Sequence, residues 1–283
     1  IRVSGLIPDG MDIAPLLVEA RRQLKEEADY EREGAYLERF GSLLNDAPEF
    51  LVPGLHPDLT TRNALAMSYV PGVAIEATAS QPQETRDQIM RLLIDLLFRE
   101  LFEFRLMQTD PNFANYRFDA ESRRIVLLDF GAAREFPQTT ADRYRTLMIA
   151  GIGGSRQDIR DAAMNLGLFD EATRPHHQTE IVKIIDMAFE AFRHDGDFDF
   201  GNNDLAARMN EAGRQIGADR DFVHLPPMDV LYLQRKFAGM YLLATRLRAR
   251  VDLRGCLASY LDSDQAASVQ AGRFQIATLS SCP

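Results

Sequence analysis

Gln108-Thr109-Asp110-Pro111-Asn112-Phe113-Ala114-Asn115 and, beyond a short polar turn, Leu127-Leu128-Asp129-Phe130-Gly131 are the two segments from which the fold can be read. Each alone resembles an ordinary turn. Together they place an acid, an amide five residues later and a second acid on either side of a hairpin, because residues 116–118 and 125–128 read as strands joined by the polar residues 119–124. Upstream, residues 83–107 have a helical period with a broad apolar face that includes Ile89, Leu93, Leu96, Leu97 and Leu101. Arg91, Asp95, Arg99 and Glu100 interrupt that run. A membrane span needs about 20 nearly uninterrupted apolar residues, so this is a core helix.

Working outward, residues 13–45 predict one long acid-rich helix, with Pro15 in its first turn where a missing N–H does no harm. Residues 50–52 and 64–70 predict two short strands, the second stopping at Pro71-Gly72, which reads as a hinge. From 139 to 260 the period is helical, over about 140–151, 155–167, 178–194, 202–217 and 227–250. Gly151-Ile152-Gly153-Gly154 reads as a helix break, and His176-His177 as a solvent-facing pair on a loop. The residues after 261 read as a loose tail.

Composition narrows the classes of function. Of 283 residues 46% are hydrophobic, so a full globular core is expected, and a net charge of -10 argues against nucleic acid as a partner. Two cysteines, Cys256 and Cys282, make no disulfide framework and suggest a reducing compartment.

The ordered set of Asp110, Asn115 and Asp129 suits phosphoryl transfer. That reaction leaves the protein little covalent work: one carboxylate must meet the attacking hydroxyl, and cations must be held against the phosphates. Asp110 is the candidate for the first task. Asn115 and Asp129 are the candidates for holding Mg2+, which takes a few oxygen ligands and keeps several waters.

At these residues the chain resembles the UbiB/AarF-type atypical kinase-like family, and within it the coenzyme Q kinase-like branch. The same resemblance extends over residues 24–33, 65–72, 195–201 and 233–239, nearly the whole chain. It implies an α+β, predominantly helical, protein-kinase-like fold, with a truncated N-lobe remnant over 1–72, a helical C-lobe over 73–260 and the tail over 261–283. It also implies roles by position. Asp110 matches the catalytic-loop aspartate, and Asn115 and Asp129 match the metal-binding positions. Glu33 matches the glutamate that pairs with a strand lysine. Glu27 and Asp29 match a Glu-x-Asp pair near the nucleotide, and Ser68, Tyr69 and Val70 match the hinge that binds it. ATP and Mg2+ are the implied cofactors. Lipid, a quinone precursor and ubiquinone-biosynthesis proteins are the implied partners. The implied place is cytoplasmic, or the matrix side in a eukaryote, with peripheral contact at the inner membrane. Many family members carry His two residues before the catalytic aspartate; here Gln108 stands there, as in the coenzyme Q branch.

Lysine is scarce: of 32 basic residues only Lys25, Lys183 and Lys236 are lysine. None can be a strand lysine before Glu33. We therefore expect the chain to be the C-terminal part of a longer protein whose nucleotide-covering elements precede Ile1. The rival reading is a non-catalytic pseudokinase, a scaffold or lipid-binding module of a biosynthetic complex. A small-molecule kinase of the aminoglycoside or choline type shares the Asp and Asn spacing, but not the Glu-x-Asp-Tyr-x-x-Glu helix.

Overall fold

The computed structural model describes residues 14–219 and 224–261, so the tail expected over 261–283 falls outside the described residues except for Leu261. The segment expected as one helix over 13–45 is two, α1 (Ala14–Glu27) and α2 (Tyr30–Leu43). Asp29 makes the break. Its carboxylate accepts from Arg32 N at 3.1 Å and caps α2, a competition with helix propagation that aspartate commonly wins. α2 buries Leu37 and Phe40, whereas α1 is held by charge. Arg134 reaches Glu19 at 3.2 Å and Glu26 at 3.3 Å while lying 4.1 Å over the Tyr232 ring.

Phe50–Leu51 forms β1 as expected, but residues 64–70 do not form a strand. They make isolated bridges, Leu55 with Met67 and Thr61 with Ala64, so this segment folds back on its own neighbours. Gly72 then turns the chain with φ +148°, its Cα passing so close to Phe118 that a Cβ would lie 3.1 Å from the carbonyl oxygen. β2 (Val73–Ala74) follows.

α3 (Gln83–Phe98) is the central helix, burying Ile89, Met90, Leu93, Leu96 and Leu97. Each such side chain contributes roughly 1.5–3 kcal/mol on burial. The expected helix to residue 107 stops short of it. A π-helical turn (Arg99–Phe104) and a left-handed Arg105 (φ 52°) redirect the chain into β3 (Leu106–Gln108), and in doing so turn Glu100 inward. The hairpin is as expected: β4 (Tyr116–Asp119) and β5 (Arg124–Leu127). With β1 parallel to β5 and β2 antiparallel to β4, they make a sheet of order β1-β5-β4-β2. β6 (Ala133–Glu135) pairs with β3.

The remainder is helical: α4 (Gln138–Gly153), α5 (Arg156–Leu166), α6 (Pro175–Ala188), α7 (Glu190–Arg193), α8 (Leu205–Ala218), α9 (Met228–Leu247) and α10 (Leu253–Leu261). A ribbon of β7 (Phe198–Asp199) and β8 (Arg250–Val251) interrupts it. The glycine break at the end of α4 is present. His176 and His177 are not on an exposed loop. They open α6, His177 is buried, and their Nε2 atoms lie 3.3 and 2.8 Å from Asp219 Oδ2. His177 turns inward beneath the carboxylate, whereas the His176 side chain stays 57% exposed, solvent-facing as expected. Among the described residues no helix is long and apolar enough to cross a membrane.

Candidate active site

Two antiparallel ladders bring the two motif segments side by side. In one, Gln108 of β3 faces Ala133 of β6; in the other, Tyr116 of β4 faces Leu127 of β5. Residues 109–115 therefore run from the first ladder to the second, and residues 128–132 run back. Cross-links keep the two loops in step. Thr109 donates to Ala132 O from both its N–H (3.2 Å) and its hydroxyl (2.8 Å), and Leu128 N donates to Asn115 O at 3.1 Å. Asp110, Asn115 and Asp129 line one cavity of about 760 Å³, together with Glu27 and Glu33.

α2 fixes the second loop from the other side. The Arg32 guanidinium donates to Gly131 O at 2.7 Å and Ala133 O at 2.8 Å. Phe130 points into the core against Phe40, ring centroids 4.7 Å apart, and its N–H faces Glu33 Oε1 at 3.4 Å. Burial, and after it the negative charge of Asp129, push the Glu33 carboxyl above the usual range. Asp129 is itself oriented by Gly131 N, which donates to Oδ1 at 2.9 Å.

These residues fit a hard divalent cation. The donor set is all oxygen, and carboxylates gathered at one cavity repel one another unless a cation compensates them. Asn115 Nδ2 donates to Asp110 Oδ2 at 3.1 Å, so its amide oxygen is the atom a cation would take. Arg235 of α9 donates to the other oxygen of Asp110 at 3.0 Å.

The other expected positions divide. Glu27 lines the cavity. Asp29 is the cap of α2 and does not line it. On the remaining side the wall is Asn63, Ala64, Leu65 and Met67 rather than Ser68, Tyr69 and Val70. Ser68 Oγ lies 3.0 Å from His56 Nε2, and Tyr69 is 88% exposed. Arg32, Glu100, Arg235 and Lys236 also serve these loops, and the motifs did not single them out. The signal available for Lys236 was its place on the apolar stripe of α9, between Leu233 and Met240.

A profile of the ABC1 atypical kinase-like domain matches residues 1–163. The mitochondrial atypical kinase COQ8B of Danio rerio is 34% identical over 254 residues, 90% of this chain and 40% of that protein. The mitochondrial atypical kinase COQ8 of Saccharomyces cerevisiae is 33% identical over 254 residues, 89% of this chain and 50% of that protein. The chain thus spans about half the length, or less, of these curated relatives. Among solved structures, that of Rv3197 from Mycobacterium tuberculosis in complex with erythromycin superposes with a TM-score of 0.68 at 18% identity, over 91% of this chain and 64% of that one. This last likeness bears on the fold alone.

Proposed function

The chain belongs to the ABC1 atypical kinase-like family, and from that premise we propose that its cavity takes ATP with Mg2+ and performs phosphoryl transfer or ATP hydrolysis in support of ubiquinone biosynthesis. The observation that carries this reading is that Asp110, Asn115, Asp129 and Glu33, far apart in sequence, line the same cavity. Asp110 meets the attacking hydroxyl or water and accepts its proton. Asn115 and Asp129 hold the metal, whose charge offsets that developing on the phosphate oxygens. Glu33 steadies the loop after Asp129 through Phe130 N, and its charge is available to orient a cation on the phosphates. Glu27 faces the same space, whereas residues 68–70, which match the nucleotide hinge by position, lie outside its wall.

The test compares the wild type with Asp129→Asn. A ligand that binds only the folded state raises its stability, by about 2.7 kcal/mol at a hundred times its dissociation constant. Mg-ATP should raise the melting midpoint of the wild type and leave that of Asp129→Asn unmoved, and turnover should fall by at least about 100-fold. Equal turnover by the two proteins would refute the assignment.

A further inference from the structure

Lys236 lies on the buried stripe of α9 and is only 2% exposed. An ammonium is tolerated in such a place only when its donors are used and its charge is compensated. Its Nζ donates to Tyr116 Oη at 2.6 Å and to Gln108 Oε1 at 3.2 Å, and Glu100 Oε2 lies 3.7 Å away. Gln108 is the last residue of β3 and Tyr116 the first of β4. One ammonium therefore holds both ends of the loop that presents Asp110 and Asn115. Glu100 closes the knot from a third side, since its Oε1 accepts from Gln108 N at 3.4 Å.

The same helix seats the middle of the loop. A Cβ at Gly239 would come within 2.1 Å of Pro111 Cβ, so only glycine lets α9 approach this closely. Behind the site, a void of about 10 Å³ is lined by Glu100, Gln108, Asn115, Tyr116 and Asp129, of which Asn115 and Asp129 also line the main cavity, so the network adjoins the metal-facing side chains. Lys236 itself lines neither space.

We propose that Lys236 is a positioning residue, which sets the spacing of Asp110 and Asn115 by tethering Gln108 and Tyr116 to α9. The catalytic meaning of that spacing rests on the function proposed above; the tether does not. A merely structural lysine would hold α9 in place and leave the loop's motions alone. A positioning lysine governs the loop specifically.

The test uses the full chain with Lys236→Met and Glu100→Gln combined, which removes the tether without leaving a lone carboxylate buried. Tyr116→Phe removes one bond and keeps the volume. Hydrogen exchange is followed without nucleotide, and kcat and KM for Mg-ATP are measured at a temperature where each protein is folded. In the double variant, exchange over residues 109–116 should quicken by about tenfold or more while amides of α3 and the rest of α9 keep wild-type protection. The kcat should fall by about 100-fold with KM changed less than about threefold, the pattern of misplaced but still bound reactants. Tyr116→Phe should shift both quantities the same way by less, and it decides the matter if the double variant does not fold. Unchanged exchange over 109–116, or protection lost evenly across the chain, would overturn the proposal. A wild type without turnover would instead sink the reading of the site, and exchange would still decide the tether.

Discussion

Arg235 and Lys236 are neighbours on one turn of α9, serve the same loop and sit in opposite surroundings. Arg235 meets Asp110 at 3.0 Å with its side chain 48% exposed, whereas Lys236 faces Glu100 at 3.7 Å with both side chains 3% exposed. Distance alone would rank the arginine pair first. Solvent reverses the order. An exposed pair is screened and worth about 0–1 kcal/mol, whereas removing one partner of a buried pair leaves an uncompensated charge and costs about 3–5 kcal/mol. The contrast separates a charge paired with Asp110 at the open cavity from a charge buried between the two ends of the loop.

The largest expected effect tests the buried side. At about pH 9, where Glu100 is ionised beside the lysine, Lys236→Met alone should lower stability to urea by about 3–5 kcal/mol, and adding Glu100→Gln should recover most of that loss. A double variant as unstable as the single one would mean that packing, and not the stranded carboxylate, sets the penalty. The comparison with Arg235 would then lose its physical basis.

Next in size is a pH effect. Burial pushes the Glu100 carboxyl up to about 7, against the opposing pull of Lys236. A carboxyl whose pKa is higher in the folded state binds its proton more tightly there, so the stability it contributes is present below the ordinary carboxylate pKa. That contribution is lost as pH rises through about 7. Between about pH 5 and pH 8 the wild type should therefore lose up to about 3 kcal/mol relative to Glu100→Gln. Urea titrations of the two proteins across that range check the sign, and parallel curves would show that Glu100 is already ionised at low pH.

What the sequence revealed follows from how local each feature is. That Asp110, Asn115 and Asp129 meet at one cavity was legible because a hairpin with clear strand periods separates the two short motifs. Helices α4, α5, α8 and α9 were legible because their apolar period is long, whereas the helix expected over 178–194 is divided into α6 and α7, and the short α10 was not read. Misreadings arose where one residue or a distant partner decides. Asp29 splits a helix whose period runs on unbroken, since a capping hydrogen bond leaves no mark on hydrophobic spacing. Residues 64–70 are apolar enough to read as a strand, but among the described residues they bridge only to residues 55 and 61. Lys236 was counted, yet only for its failure to be a strand lysine. Its partners lie 120 and 128 residues away, a separation no window of sequence spans. Its neighbours Leu233 and Met240 did mark it as a cation on a core stripe.

That separation also explains Gln108. Gln108, two residues before Asp110, is held from another element, through an oxygen that accepts from Lys236. The loop is braced by α9, so the family resemblance identifies the loop without identifying its brace.

The smallest expected effect belongs to the exposed neighbour and sharpens the contrast most. Arg235→Gln removes a charge but keeps an amide that can still reach a carboxylate, and solvent is available to both partners. Stability should fall by less than about 1 kcal/mol, a shift in melting midpoint of no more than about 2–4 °C. The difference from wild type should vanish in about 1 M salt, where the screening length shortens to roughly 3 Å. A loss comparable to that of Lys236→Met, or one indifferent to salt, would mean that Asp110 and Arg235 act as a buried pair. The two cations would then serve the loop in one way, and the division of labour along this turn of α9 would have to be abandoned.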